Sequence, residues 1–172
     1  MADKKKKVEP KKETKHEMFE HFGECDSAEE MNLTVDGWYE EGDIDSIKAF
    51  AKENGFEDRY VESYLEQRKG NPNELFTNDI EAAIAKLGLE KEENSQLGIF
   101  ADDIIDYLAS ECIDEKLAKG IRKKGKRLSE AAGLIIKESK KNSISIPGGR
   151  CNYCGPMKGF SLIRGYYAGG AK

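Results

Sequence analysis

The sequence of 172 residues lacks the long apolar run that a membrane span requires. No stretch approaches the roughly 18 consecutive apolar residues of a transmembrane helix. The N-terminal segment "MADKKKKVEPKKETK" is rich in lysine, but no apolar stretch follows it, so it differs from a secretory signal. These shortages predict a protein without a membrane partner, located in the cytoplasm.

Apolar residues are also scarce, at 38%, whereas charged residues reach 35%. The charged fraction exceeds the quarter or so that is usual for globular domains. We therefore expect a core of modest size under a highly charged surface.

Candidate catalytic groups are few. The only histidines, His16 and His21, lie near the N-terminal tail, which is a poor place to position an acid or a base. The sequence contains no G-x-S-x-G, no H-E-x-x-H and no phosphate-binding glycine loop. The sequence thus predicts that the protein is not an enzyme, has no catalytic residues and uses no cofactor.

Cysteines and histidines are the candidates for a metal site. Cys151 and Cys154 form a C-x-x-C pair that resembles half of a zinc knuckle, which needs two further ligands. His21 and Cys25 are four residues apart and would share a face if they lay on a helix. The further candidates are Cys25, Cys112, His16 and His21. We expect free thiols, with Cys151 and Cys154 as weak metal candidates.

The charges are divided unevenly along the chain. Residues 1–15 carry a net charge of +4, residues 16–115 carry −21 and residues 116–172 carry +12. Such a division concerns the partners of a protein rather than its fold. A nucleic acid would meet the C-terminal third, and a basic protein surface would meet the middle.

A basic segment with seven cations opens the C-terminal third. Its cations are Lys116, Lys119, Arg122, Lys123, Lys124, Lys126 and Arg127. On a helix, the lysines at 116, 119, 123 and 126 would line one side and Arg122, Lys124 and Arg127 would widen the patch, while Leu117, Ile121 and Leu128 would face inward. These cations are the predicted contacts for a nucleic-acid backbone or a protein partner. An ordinary solvated helix face is the alternative.

Helical patterns cover most of the chain. Residues 26–69 predict three short helices, with Ser27 and Asp43 as N-caps and Gly42 as a stop. A fourth helix is predicted in "NELFTNDIEAAIAKLG", with Leu75 and Ile84 on its apolar side and Gly88 as its end. Further helical stripes follow from residue 95 onward.

The predicted fold class is mostly α, with two small helical halves and at most a short β element near residues 143–154. The charged connector "EKEEN" at residues 90–94 marks the expected boundary. The predicted regions are a disordered basic tail at 1–15, an acidic N-terminal helical region at 16–89, and a C-terminal helical region at 95–172 that includes the basic segment.

The N-terminal half resembles a family of small proteins from phages and mobile elements of gut Firmicutes. The resemblance runs from Gly23 to Gln67. It is carried by D-S-x-E-E-x-N at Asp26–Asn32, E-G-D at Glu41–Asp43 and A-x-E-N-G at Ala51–Gly55, followed by an acidic helix with Tyr64.

The C-terminal half resembles the same group, together with PcfK-like proteins of conjugative elements and type II-A anti-CRISPR proteins that inhibit Cas9. The shared pieces are "IRKKGKRL" at Ile121–Leu128, a helix ending in "KESKK", a variable insert, and a last helix that ends in the tyrosine pair Tyr166 and Tyr167. The Cys151 and Cys154 pair falls in the variable insert, which argues against a metal site shared by the family.

This resemblance implies a non-catalytic anti-CRISPR protein of a bacterial host cell that binds Cas9 or its guide-RNA complex. It would block target-DNA binding or cleavage by occlusion, with the acidic middle on a basic Cas9 surface. The basic segment would hold RNA or DNA backbone. One alternative is a DNA-binding accessory protein of a conjugative or phage element. Another is a zinc-stabilised adaptor.

Overall fold

The structure is a computed structural model that describes residues 18–169, with the side chain of Ile99 excepted. The basic tail predicted at residues 1–15 lies outside the described residues. Among those described, none of the helices combines the length and the apolar character that a bilayer crossing needs.

The described chain is mostly α-helical, as predicted, with one two-stranded antiparallel sheet inside the expected range 143–154. The helices are α1 (Ala28–Glu41), α2 (Ile44–Glu53), α3 (Asp58–Gly70), α4 (Asp79–Glu93), α5 (Ile99–Glu111), α6 (Glu115–Arg122), α7 (Leu128–Lys141) and α8 (Pro156–Ala168). The strands are β1 (Ser143–Ile146) and β2 (Gly149–Asn152), and a short 3-10 helix (Ser95–Leu97) precedes α5.

The predicted helix ends in the N-terminal part are confirmed. The Ser27 hydroxyl accepts the Glu30 N–H at 3.1 Å, and the Glu30 carboxylate accepts the Asp26 N–H at 2.6 Å. Gly42 ends α1 at φ +74°, a backbone conformation that L side chains rarely adopt, and Asp43 then caps α2. Local capping interactions therefore explain why only two residues separate the end of α1 from the start of α2.

One apolar cluster belongs to the first three helices. Met31 and Val35 of α1 pack with Ile47 and Phe50 of α2 and with Val61 of α3, all essentially without solvent exposure. Aromatic rings of the same cluster meet edge to face at centroid distances near 5 to 6 Å, a favoured geometry for such pairs. This cluster fixes the face of α1 that turns away from solvent.

A second apolar cluster joins α5, α6, α7 and α8. Its buried members include Leu108, Leu117, Ile121, Leu128 and Ile163. Helix α4 belongs to both clusters, because Ala82 packs into the first while its neighbours Ala83 and Leu87 pack into the second. Helix α4 is thus the element that links the two cores.

The predicted bounds of α4 were wrong at both ends. The helix begins at Asp79, because Asn78 and Glu81 form a reciprocal capping box, and Leu75 before it is largely exposed. It continues past Gly88, since the buried side chain of Glu90 makes contacts inside the protein. The predicted connector at residues 90–94 is therefore mostly the last turn of α4, and Ile84 faces outward.

Helix α6 approaches α8 closely at Gly120. A Cβ atom placed there would lie 2.1 Å from the carbonyl oxygen of Tyr167. This glycine lies inside α6, where the close contact with α8 depends on the absence of a side chain.

We predict that Gly120→Ala destabilises the protein, whereas Gly133→Ala stabilises it. Gly133 lies inside α7, and apart from the adjoining residues and the backbone of its own helix no described atom lies within 4 Å of the point that its Cβ would occupy, so alanine there should gain about 0.5 to 1 kcal/mol from helix propensity. Alanine at Gly120 should cost about 1 to 3 kcal/mol through steric overlap. Urea unfolding followed by circular dichroism measures both, and equal effects would refute the close contact.

Candidate functional site

The basic segment is half helix and half loop in the structure. Helix α6 ends at Arg122, a loop spans residues 123–127, and α7 begins at Leu128. Leu117, Ile121 and Leu128 are buried, as the apolar pattern predicts. The cations therefore do not form one continuous helical face.

Arg122 requires a correction, because it does not belong to an exposed patch. Its side chain is 0% exposed, and its Nη2 donates a hydrogen bond to Oδ1 of Asn54 at 2.7 Å. The ring of Phe19 lies 5.5 Å from the guanidinium carbon. Arg122 is thus a buried tie between α6 and the end of α2, and a nucleic-acid backbone cannot reach it.

Arg127 is also engaged inside the protein. Its Nη1 and Nη2 donate to the two carboxylate oxygens of Glu24 at 2.7 and 2.8 Å. The backbone N–H of Gly125 donates to the same carboxylate at 3.0 Å. Arg127 is about a third exposed, but its charge is paired with that of Glu24, which lies about a hundred residues earlier in the chain.

Lys86 of α4 completes the contacts of Glu24. Its Nζ lies 2.7 Å from Oε1 of Glu24 and donates to the carbonyl oxygen of Lys123 at 2.9 Å. The next turn of α4 carries Glu90, whose carboxylate accepts the N–H of Leu128 at 2.6 Å. This set of buried polar contacts, called the polar junction below, comprises Glu24, Asn54, Lys86, Glu90, Arg122 and Arg127.

Burial shapes the ionisation of the polar junction. Desolvation alone would raise the pKa of Glu24, but hydrogen bonds from Arg127, Lys86 and Gly125 outweigh it and hold that pKa at about 2. For Glu90, desolvation dominates and raises the pKa to about 7, against the lowering effect of Lys86. The stabilising contribution of Glu24 is therefore lost as the pH falls, whereas that of Glu90 is lost as the pH rises.

The remaining lysines of the basic segment differ in availability. Lys126 donates to the carbonyl oxygen of Tyr166 at 2.8 Å and lies over its ring, and Lys119 lies 3.5 Å from a carboxylate oxygen of Asp79. Lys116, Lys123 and Lys124 are exposed, and no ion pair between residues 18 and 169 engages their ammonium groups. The three exposed ammonium groups are what the segment offers to a partner.

Among the described residues the candidate metal ligands do not form a site, and His16 lies outside those residues. Cys25 and Cys112 are buried, Cys151 is exposed and Cys154 is half-buried. The chain around His21 forms turns and bends, so the helical spacing proposed for His21 and Cys25 does not apply. Within residues 18–169, no group of three or more His, Cys, Asp or Glu side chains is placed to hold a metal ion.

An open groove of about 700 Å³ lies beside the polar junction, between the starts of α1 and α4. This acidic groove is lined by Asp26, Ser27, Ala28, Glu29, Asn32, Leu33, Asp36, Leu75, Thr77, Asn78, Asp79, Lys119 and Lys123. Its carboxylates outnumber its ammonium groups. Leu33 and Leu75 are 68% and 62% exposed within it, so the groove combines negative charge with open apolar surface.

The polar junction fixes one wall of the acidic groove. Oδ1 of Asp26 accepts the N–H of Lys124 at 2.9 Å, which ties the start of α1 to the loop. The opposite wall is tied by Asn32, whose side chain exchanges two hydrogen bonds of 2.9 Å with the backbone of Thr77. Hydrogen bonds therefore connect the α1 side of the groove both to the loop after α6 and to the segment before α4.

The sequence-based prediction missed Lys86 and Glu90. Both occupy the buried stripe of α4, since Ala82, Lys86 and Glu90 follow one another at four-residue spacing. Charged side chains at core positions of a helix were the available signal, because such groups are almost never fully buried unless they are paired. Their partner Glu24 lies in a segment without helical periodicity, so nothing indicated the pairing.

We predict that Glu24→Gln lowers the free energy of unfolding by about 3 to 5 kcal/mol. The change would leave Lys86 and Arg127 without their counter-charge in a buried site, and uncompensated buried charges are costly. The matched control is Glu62→Gln at an exposed position of α3, where we expect a change within about 0.5 kcal/mol. Denaturant unfolding of both variants tests this, and similar stabilities would contradict the role given to Glu24.

We predict a second, pH-dependent effect for Glu90. Its folded pKa of about 7 lies above the unfolded value of 4.5, so its contribution to stability is complete below about pH 4.5 and is lost as the pH rises through 7. Between pH 5 and pH 8 the wild type should lose roughly 2 kcal/mol that Glu90→Gln does not lose.

Urea unfolding at both pH values measures this difference. The exposed Glu93, three residues on in α4, provides the control, and Glu93→Gln should follow the wild type at both pH values. A pH dependence in Glu90→Gln equal to that of the wild type would refute the account of this carboxyl group.

Two features of the described chain can meet a charged partner. One is the acidic groove with its exposed leucines, and the other is the set of cations that lie outside the polar junction. Comparisons with known protein families, with curated proteins and with solved structures find no match to this chain.

Proposed function

We propose that the protein is a non-catalytic Cas9 inhibitor that binds the Cas9–guide complex through its acidic groove. The observation that carries the proposal is the groove itself, whose lining combines four carboxylates with two exposed leucines. The sequence resemblance supplies the target. By occupying a surface that target DNA needs, the protein would block DNA binding or cleavage in the bacterial host cell without chemistry.

Electrostatic complementarity supports this choice of surface. Cas9 holds its guide–target duplex in a positively charged channel and reads the adjacent DNA motif with arginines. Residues 16–115 carry a net charge of −21, and the groove lies within that part of the chain except for two lysines. A strongly negative surface would be steered toward such a channel and would repel competing DNA.

The exposed leucines give the groove an apolar centre. Interfaces commonly depend on a few anchors that lose all contact with water on binding. Leu33 and Leu75 are both more exposed than a core leucine would be, yet they lie among groove residues rather than singly on the surface. We assign them the role of anchors between flanking carboxylates.

The basic segment keeps a secondary part in this proposal. Lys123 lines the groove, and Lys116 and Lys124 lie near it in sequence with exposed ammonium groups. These lysines would contact guide-RNA or DNA backbone at the edge of the complex. The engagement of Arg122 and Arg127 in the polar junction weakens the alternative of a DNA-binding accessory protein that uses this segment alone.

The groove is tested by the double variant Glu29→Lys and Leu33→Ser. Both residues are exposed on α1, and their replacement reverses one charge and removes one anchor. We expect the wild type to inhibit DNA cleavage by a type II-A Cas9 and the variant to bind the Cas9–guide complex at least about tenfold more weakly. Biolayer interferometry and a cleavage assay measure the two effects.

A matched control carries Glu62→Lys and Ile113→Ser, which make the same kinds of change at exposed positions outside the groove. The control should bind and inhibit like the wild type. Equal loss in both double variants would refute the groove as the binding surface. Failure of the wild type to bind or inhibit any type II-A Cas9 tested would refute the proposed function.

A further inference from the structure

The β-hairpin formed by β1 and β2 is the most exposed ordered element of the described chain. All eight of its residues are exposed. At its base, the N–H of Tyr153 donates to the carbonyl oxygen of Asn142 at 3.2 Å, which extends the pairing of the two strands by one hydrogen bond. An isolated two-stranded hairpin is only marginally stable in water, so an exposed ribbon calls for a partner.

One face of this ribbon consists wholly of hydrogen-bonding side chains. The register pairs Ser143 with Asn152 and Ser145 with Arg150, and directly opposed residues in a sheet share a face. No hydrogen bond or ion pair within residues 18–169 uses these four side chains. The opposite face carries Ile144 and Cys151, so the ribbon has one polar and one apolar side.

Cations flank the ribbon in sequence, on the helices that precede and follow it. Residues 137–158 contain five basic residues and one acidic residue. Lys137 and Lys140 lie exposed in the last turns of α7, and Lys158 lies exposed in the first turn of α8. The one carboxylate, Glu138, is half-buried and already pairs with Lys141 at 2.9 Å.

From this arrangement we propose that the hairpin is a binding site for duplex DNA. The major groove of B-form DNA is wide enough for a two-stranded ribbon, whereas that of A-form RNA is too narrow for side chains to read. Arginine, asparagine and serine are among the side chains that hydrogen-bond to base edges there. Arg150 and Asn152 would meet the bases, and Lys137, Lys140 and Lys158 would meet the phosphates.

This site differs from the basic segment in its position and in the availability of its side chains to a partner. The hairpin side chains and the α7 lysines are free of the polar junction, whereas Arg122 and Arg127 are committed to it. The inference does not rest on the proposed Cas9 inhibition. The DNA contact is tested with the full chain alone, so its failure leaves the groove proposal intact.

Fluorescence anisotropy with a labelled DNA duplex of about two helical turns tests the site, at salt concentrations from about 50 to 200 mM. We expect micromolar binding at low salt that weakens steeply as salt rises. The variant Lys137→Glu with Lys140→Glu should bind at least about tenfold more weakly, with a salt slope smaller by about two. Arg150→Ala should also weaken binding, by roughly tenfold.

The control variant carries Lys48→Glu and Lys52→Glu, which reverse two exposed cations of α2 that lie outside the hairpin, the groove and the basic segment. It should retain more than half of the wild-type affinity, and circular dichroism should show that every variant is folded. Parallel titrations use single-stranded DNA, duplex RNA and vesicles of phosphatidylserine and phosphatidylcholine. Binding of duplex DNA that depends on the hairpin cations supports the proposal.

Three results would overturn the DNA site. They are the absence of duplex binding at low salt, an equal loss of binding in the hairpin variant and the control variant, and tighter binding to single strands, RNA or vesicles than to duplex DNA.

Discussion

The carboxylate of Glu24 lies between the ammonium group of Lys86 and the guanidinium group of Arg127, at 2.7 Å from each. Burial makes each of these charges costly alone, so each one depends on the other two. The contact joins a segment before α1, the middle of α4 and the loop between α6 and α7. It fixes the backbone of that loop, and through Asp26 it also fixes one wall of the acidic groove.

The polar junction gives part of the basic segment a structural role. Seven cations in twelve positions suggest a surface for phosphates, yet the structure places one of them fully inside and pairs others with carboxylates or carbonyl oxygens. Some of these cations, Arg122 and Arg127 among them, therefore make contacts inside the protein and are not available to a partner. The charge that stays open to a partner is negative around the groove, and positive around the hairpin.

Local interactions made most of the fold predictable. Caps such as Ser27 and Asp43 and the apolar stripe of α1 depend on residues within a few positions, so the three N-terminal helices followed from the sequence. The end of α4 was mistaken because its last turn is stabilised by contacts of Glu90 with Leu128, nearly forty residues away. The burial of Arg122 and the groove itself depend on similar long-range pairings, which periodicity does not encode.

In this account the loop after α6 has a structural role and the acidic groove has the binding role. Hydrogen exchange with and without the Cas9–guide complex tests this assignment most directly. The amides of Lys124, Gly125 and Leu128 donate to the carboxylates of Asp26, Glu24 and Glu90, so they should exchange more slowly than unbonded loop amides in the free protein. On binding, additional protection should appear at the start of α1 and around Leu75. Fast exchange of the loop amides in the free protein, or new protection confined to residues 116–127, would contradict the account.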